Sequence, residues 1–294
     1  MITANVADFL SMNAGRRPEK VALIERDRRM SYAELDRAHL AVAAALHGLG
    51  LGRGEIVGIA MRDGIDYVVT MMAAFRLGIV VLPMDSRWTE AEKANVARFF
   101  GARTVILSQS GVSLVGDSPA LAFDPAWTET DTGGLRLPED FSADEPLVLS
   151  LSSGTTGIPK GPMISHRHYM LRMYTEWLAL GYLQTDTNLC ATPLYFGGGR
   201  YFTMAYLMAG ATVVINSPPY EVEELAEVVA RHSVSTTFLV PTLLRRIAAA
   251  PPHVRAPFQA LRFVISSGSA LHPTEAAELS GKVNACIINH YAST

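Results

Sequence analysis

The residues best equipped for chemistry lie in one stretch, Leu149-Ser-Leu-Ser-Ser-Gly-Thr-Thr-Gly-Ile-Pro-Lys-Gly161. Directly ahead of it runs the apolar Pro146-Leu-Val-Leu149, so the pattern is a strand that delivers a loop. Gly154 and Gly157 let the backbone turn sharply and approach a ligand. Successive N–H groups in such a loop form a concave nest for anions. Ser152, Ser153, Thr155 and Thr156 add hydroxyl donors, and Lys160 adds a fixed positive charge. A polyanion such as the phosphate tail of a nucleotide is the natural guest. A flexible linker needs neither the lysine nor a buried strand ahead of it. A Walker P-loop is excluded on other grounds. That motif needs Gly-Lys-Ser/Thr opening a helix, whereas Lys160 follows Pro159 and precedes Gly161-Pro162. Proline does not permit a helix to begin on the lysine in that manner.

The elements that must position this loop alternate along the chain. Val21–Ile24 reads as a strand, followed by a turn at 26–29. Ser31-Tyr-Ala-Glu34 has the spacing of a capping box and opens a helix to about His47, which ends at Gly48 and Gly50. Glu55–Ala60 is a strand. The longest apolar stretch, Tyr67 to Pro83, is interrupted by Arg76 and Gly78 and is short for a membrane span; it reads as helix, turn and buried strand. Thr89-Glu-Ala-Glu92 is a second capping box and opens a helix to Phe100, before a strand at Thr104–Leu107. Residues 111–145 are rich in Gly, Pro, Ser and Asp and read as a surface excursion. Beyond the loop, a long helix at His166–Leu180 is followed by strands at Asn188–Ala191 and Ala211–Ile215, with a helix at Tyr201–Met208 between them. An amphipathic helix covers Glu221–Arg231, and the segments from Thr236 to Asn289 continue the alternation. Repeated strand–helix–strand units with apolar strands predict an α/β fold of mainly parallel sheets covered by helices. Ligands then bind beyond the carboxyl ends of the strands. Residues 152–161, 266–270 and 291–294 each follow a predicted strand.

Composition sets the outer limits. With 294 residues, 49% of them hydrophobic, the chain has material for one large domain or two interlocked ones. A net charge of −3 without a Lys/Arg cluster argues against nucleic acid as a partner. The first ten residues carry Asp8 and no basic region, unlike a signal peptide. The two cysteines, Cys190 and Cys286, lack metal-type spacing and read as buried thiols in a reducing compartment, which implies a cytoplasmic protein.

The segment Ser152-Ser-Gly-Thr-Thr-Gly-Ile-Pro-Lys-Gly161 resembles the signature loop of the adenylate-forming ligases, which include acyl- and aryl-CoA synthetases, peptide-synthetase adenylation domains and beetle luciferases. Three further segments match in the family's order. They are Pro193-Leu-Tyr-Phe-Gly197, Ser266-Ser-Gly-Ser-Ala-Leu271 and Asn289-His-Tyr-Ala-Ser-Thr294. The resemblance covers essentially the whole chain. It implies the N-terminal part of that fold, two interleaved α/β subdomains. One would span about 52–190 and the other about 1–51 with 191–294. The family's β-barrel and C-terminal domain would be absent.

The implied reaction joins a carboxylic acid to ATP as an acyl-adenylate, with Mg²⁺, and then transfers the acyl group to a thiol of CoA or of a carrier protein. By resemblance, Ser152, Ser153, Gly154, Thr155, Thr156, Gly157 and Lys160 hold the β- and γ-phosphates. Gly268, Ser269 and Ala270 line one face of the adenine, Tyr291 stacks on the other, and Thr294 bonds the α-phosphate. Lys160, Thr155 and Thr294 are the catalytic candidates. Tyr195, Phe196, Gly197, Val240, Pro241, Ser266 and Ser267 face the acid. Phe196 stands where amino-acid enzymes of the family place Asp against the substrate ammonium, so α-amino acids are disfavoured and aryl or acyl acids expected. The chemistry needs no general base, so His166 and His168 are read as structural, and no residue is assigned to a metal. The family's Mg²⁺-binding Glu would follow Thr294. The 294-residue chain is therefore expected to be inactive alone, with self-association through surface left open. The competing expectations are a module that binds ATP or AMP without chemistry and a phosphoryl-transfer enzyme.

Overall fold

The computed structural model describes residues 5–108, 114–151, 161–283 and 286–290. The chain starts with helix α1 (Asp8–Arg16), neighbouring strands β1 (Val21–Glu25) and β2 (Arg28–Ser31), and helix α2 (Tyr32–Gly48). Strand β2 begins inside the predicted turn, because Arg28 and Arg29 need only backbone pairing to extend a sheet edge. The Ser31 hydroxyl accepts from the Glu34 N–H (3.3 Å) and the Glu34 carboxylate accepts from the Ser31 N–H (2.7 Å), which closes the predicted box at the start of α2.

There follow β3 (Ile56–Ala60), α3 (Ile65–Arg76), β4 (Val80–Pro83), α4 (Glu90–Phe100), β5 (Thr104–Leu107), β6 (Leu114–Val115) and β7 (Ser118–Ala122). A short 3₁₀ turn at Pro125–Glu129 leads to β8 (Pro146–Leu149), β9 (Met163–Ser165) and α5 (His166–Leu180). The sheet order is β6-β7-β5-β3-β4-β8-β9, parallel through its interior and antiparallel at both edges. The 111–145 excursion thus supplies two strands, one of which, β7, runs parallel to β5. Thr89 and Glu92 cap α4 as predicted, with bonds of 3.2 and 2.8 Å. The apolar 67–83 stretch is the buried α3, a turn with Gly78 at φ +72°, and the buried β4. Leu82, Met84, Val105 and Leu149 fill the core below α4. Arg76 is tolerated there because its guanidinium donates to Asp8, to the Ala7 carbonyl (2.9 Å) and to Ser11 Oγ (3.0 Å). No helix among the described residues is long and apolar enough to cross a membrane.

The remaining elements are β10 (Thr187–Cys190), α6 (Gly197–Ala209), β11 (Thr212–Ile215), α7 (Val222–Arg231), β12 (Thr236–Leu239), α8 (Pro241–Ala249) and α9 (Pro252–Arg255). Strand β13 (Phe263–Ser266), helix α10 (Pro273–Lys282) and strand β14 (Ile287–Asn289) complete the chain. Their sheet runs β14-β13-β12-β10-β11-β1-β2, with every pair from β14 to β1 parallel. Leu189, Val214, Leu225, Leu244 and Val264 build its core. At the amino-terminal edge, Asp186 accepts from the Leu183 N–H (2.7 Å), from Ser235 Oγ (2.8 Å) and from the Arg262 guanidinium. These residues precede β10, β12 and β13, so one carboxylate registers three neighbouring strands.

The chain divides into two compact units. One runs to Lys20 and resumes at Met30–Gly181; the other comprises Val21–Arg29 and the described residues from Tyr182 onward. Of the first fifty residues, only Val21–Arg29 joins the second unit, because β1 and β2 extend its sheet. Cys190 is buried but Cys286 is exposed, which corrects the expectation of two buried thiols: Cys286 precedes the edge strand β14.

Candidate active site

In the second unit the strand order turns back at β10. Helix α6 carries the chain from β10 to β11 on one side, and α7 carries it across to β12 on the other. Such a switch point leaves a crevice beyond the carboxyl ends of the strands. A cleft of about 300 Å³ lies there. It is lined by Ala191, Thr192 and Pro193 after β10, by Tyr195 and Phe196 ahead of α6, by Tyr220, and by Val240, Thr242, Leu243 and Arg246 at α8. Tyr195, Phe196 and Val240 were expected from sequence to face the acid; Gly197, Pro241, Ser266 and Ser267, expected with them, do not line this cleft. Tyr220, Thr242 and Arg246 are additions. The signal available for the last two is helical spacing, since residues 242, 243 and 246 share one face of a helix beginning at Pro241.

The wall carrying Tyr195 and Phe196 is fixed from below. Arg200 is 3% exposed, and its Nη1 donates to the carbonyls of Tyr195 (2.9 Å) and Leu194 (3.4 Å). The Phe196 N–H closes a turn onto the Pro193 carbonyl (3.0 Å). Arg200 is a positioning residue that sequence reading missed. The glycines at the start of α6 serve packing. A Cβ on Gly199 would stand 2.3 Å from the Thr192 carbonyl oxygen, and one on Gly198 would stand 2.5 Å from the Phe238 ring. Gly197, the one expected in the pocket, does not line the cleft, and a Cβ placed on it would meet nothing within 4 Å.

A second cavity, of about 480 Å³, follows β13 and β14. Ser267, Gly268, Ser269, Ala270, Leu271, His272 and Pro273 line it together with Asn289 and His290. Gly268 adopts φ +98°, a left-handed conformation that L side chains rarely take. The turn is held by the Asn289 side-chain amide, which donates to the Leu271 carbonyl (3.0 Å), and by the His290 N–H, which donates to the Ser266 carbonyl (2.8 Å). A Cβ on Gly268 would lie 3.5 Å from Val240 Cγ1, so Gly268 of this cavity is a neighbour of Val240 in the wall of the first. Ser266 is fully buried, and its Oγ has no hydrogen-bond partner among the described residues.

The structure therefore gathers Gly268, Ser269, Ala270 and Ser267 around one cavity and Tyr195, Phe196 and Val240 around its neighbour. Ser152, Ser153, Gly154, Thr155, Thr156, Gly157, Lys160, Tyr291 and Thr294 lie outside the described residues. Both flanks of 152–160 belong to the first unit, where β8 and β9 pair Leu149 with Met163 and the Ser150 N–H donates to the Pro162 carbonyl (3.0 Å). Gly161 packs so tightly against the Phe100 ring that a Cβ would approach to 2.8 Å. His166 is buried and accepts from the Val6 N–H at Nδ1 (3.0 Å), and His168 Nδ1 lies 2.9 Å from Ser165 Oγ, so both have structural partners. Among the described residues no three His, Cys, Asp or Glu side chains gather in a way that could hold a metal ion.

Helix-covered parallel sheets with a ligand-sized cleft at a switch point are the architecture of an α/β ligand-binding protein. The chain belongs to the AMP-binding enzyme family of adenylate-forming ligases, whose profile matches residues 10–294. Among its relatives, 4-coumarate–CoA ligase 3 of Oryza sativa subsp. japonica is 27% identical over 82% of this chain and 47% of its own length. Fatty acid–[acyl-carrier-protein] ligase ScoC of Streptomyces coeruleorubidus is 24% identical over 89% of this chain and 53% of its own. The chain thus spans about half the length of these relatives. Among solved structures, the N-terminal subdomain of Klebsiella oxytoca NpsA, in complex with 3-hydroxyanthranilyl-AMSN, superposes with a TM-score of 0.85 at 26% identity, covering 96% of this chain and 72% of that one. The mixed α/β architecture with two mainly parallel sheets is the one expected from sequence.

Proposed function

We propose that the chain is the adenylate-binding part of an enzyme that activates an aryl or acyl acid with ATP and passes the acyl group to a thiol, of CoA or of a carrier protein. The observation that carries this reading is the pair of neighbouring cavities: a cleft with tyrosine and phenylalanine in its wall, suited to an acid, and a cavity floored by Gly268, Ser269 and Ala270, suited to a flat base. A ligand spanning both would have its acyl group beside Tyr195 and Phe196 and its nucleoside beside Gly268.

In the first step an oxygen of the acid attacks the α-phosphorus of ATP. The bond from that phosphorus to the bridging oxygen breaks, and pyrophosphate leaves. Both partners are anionic, so the site must neutralise charge and hold them in line. Hydroxyls of Ser152, Ser153, Thr155 and Thr156 with Lys160 are assigned to the β- and γ-phosphates, and Thr294 to the α-phosphate. Mg²⁺ would supply further charge neutralisation when bound. In the second step a thiolate sulfur attacks the acyl carbonyl and AMP leaves. A rice CoA ligase and a carrier-protein ligase among the relatives support both acceptor classes equally. Phe196 supplies no counter-charge for an ammonium, which favours acids without an α-amino group. Both cysteines are free thiols, which favours a reducing compartment, and the enzyme is assigned to the cytoplasm.

The test is acid-dependent ATP–pyrophosphate exchange by the full-length gene product, with benzoic, phenylacetic, short-chain and fatty acids compared with amino acids. Exchange with at least one non-amino acid is expected, falling by orders of magnitude in Lys160→Ala and Thr155→Ala. Unchanged nucleotide affinity and exchange in both variants, or exchange with amino acids alone, would overturn the assignment.

A further inference from the structure

The cleft beside α6 and α8 has one charged side chain among its lining residues, Arg246. Every other lining group is apolar, aromatic or a neutral hydroxyl. In a pocket of this kind a few placed polar groups decide orientation and specificity. Val240, at the opposite end of this lining segment, adjoins the cavity of Gly268. From Val240 to Arg246 the chain advances six positions along α8, about 9 Å at the helical rise of about 1.5 Å per residue. The backbone of Arg246 therefore stands more than one helical turn beyond Val240, and its guanidinium is held at Glu221, next to Tyr220 of the cleft wall.

Its present partner is weakly held. The Arg246 Nη2 donates to Glu221 Oε2 at 2.9 Å, between side chains that are 52% and 59% exposed. An exposed pair of this kind contributes little to stability and exchanges readily. Glu221 does not line the cleft, so the guanidinium can leave it for an oxygen of a bound ligand without uncovering a buried charge. The adjacent Arg245 instead pairs with Glu275 of α10 and is absent from the cleft wall.

We infer that Arg246 is a specificity-determining residue that binds an anionic group at the end of the ligand remote from the adenylate. This rests on the proposed function and deepens it. Two ligands carry such chemistry: a bifunctional acid with a second carboxylate, and a thiol acceptor whose pantetheine arm ends in a phosphate. In both cases a guanidinium receives an anionic oxygen in charge-assisted hydrogen bonds.

The experiment uses the full-length protein and has two arms. The first measures pyrophosphate exchange with matched acids, hexanoate against adipate and benzoate against terephthalate. The second measures thioester formation with pantetheine against 4′-phosphopantetheine, at a saturating acid. In one arm Arg246→Ala should raise KM for the anionic member by about tenfold or more and leave the neutral member within about twofold. Arg246→Lys should recover part of the difference, and Glu221→Gln should lower KM for the same anionic member by releasing the arginine. The arm that responds identifies the source of the anion. Equal changes for anionic and neutral members, or no change in either arm, would overturn the inference. A wild-type enzyme that exchanges pyrophosphate with no acid would instead overturn the proposed function, and the inference with it.

Discussion

The first turn of α6 offers three chemically identical positions in different surroundings, Gly197, Gly198 and Gly199. At Gly199 a methyl group would stand 2.3 and 2.4 Å from the carbonyl oxygens of Thr192 and Pro193. Those atoms are backbone and cannot rotate aside, so the helix start or the 192–193 segment must move by about 1 Å, at an overpacking cost of roughly 1–3 kcal/mol. Helix propensity returns at most about 1 kcal/mol for Gly→Ala. With backbone oxygens this close the upper end of that range applies, so after the propensity gain Gly199→Ala should destabilise the chain by about 2 kcal/mol. At Gly198 the obstacle is the Phe238 ring at 2.5 Å, stacked on Phe202 with centroids 4.8 Å apart. A side chain can tilt, so Gly198→Ala should cost less, about 1 kcal/mol. Gly197→Ala meets nothing within 4 Å and should be neutral or slightly stabilising. Urea unfolding of the three variants, with the slope checked for constancy, measures the order directly. Because Thr192 and Pro193 line the cleft, Gly199→Ala should also raise KM for the acid in the full-length enzyme. Three indistinguishable variants, or Gly197→Ala as the worst, would refute this account of how α6 is seated.

His39 and His166 are buried and neutral, each with its pKa pushed down to about 3, chiefly by burial. The unfolded chain takes up these protons near pH 6.5 and the folded chain does not until about pH 3, so their contribution is fully present above pH 6.5. It is lost as pH falls toward 3, by up to about 1.4 kcal/mol per pH unit for each. Urea midpoints between pH 7 and 4 should show this slope, and His166→Gln should flatten it; equal slopes in variant and wild type would count against it. Ser266→Ala removes a buried hydroxyl with no partner among the described residues. Because Ser266 lines neither cavity, the replacement should leave Tm unchanged or higher and keep the affinity for a non-hydrolysable acyl-adenylate analogue within about twofold. A lowered Tm would mean that the hydroxyl serves the fold instead. Phe196→Asp introduces a carboxylate into a cleft whose lining has none. Pyrophosphate exchange with α-amino acids should appear or increase in that variant, and its absence would remove Phe196 from the acid's surroundings.

Where the sequence was informative, a local rule and the tertiary environment agreed. The capping boxes at Ser31 and Thr89 need only residues three apart, and both are formed. The interruption of the 67–83 stretch by Gly78 marks a real turn, because that residue adopts φ +72°. Strands β2, β6 and β9 escaped notice because edge strands pair through the backbone and need no apolar alternation. At the candidate site, Tyr195, Phe196 and Val240 line the cleft and 268–270 the second cavity, and their contiguous motifs made them readable as candidates, whereas Ser267, read as facing the acid, lines the second cavity. Arg200 and Arg246 were not. One is a cation in a mostly apolar helix and the other is half of Arg245-Arg246, and only the packed structure tells which loop or cleft each one meets. Gly197 was read as facing the acid but lies outside the cleft lining, and the space beside its neighbours Gly198 and Gly199 is already taken by protein atoms.

The carboxylate of Asp186 sits at the end of its sheet opposite the two cavities, where β10, β12 and β13 begin. Such an arrangement uncouples two evolutionary pressures. Loops after the strands can drift in length and chemistry to suit a new acid while the strand origins stay tethered to one buried anion. Selection for altered substrate range should accordingly accumulate changes at the carboxyl-terminal rim and spare Asp186, Ser235 and Arg262.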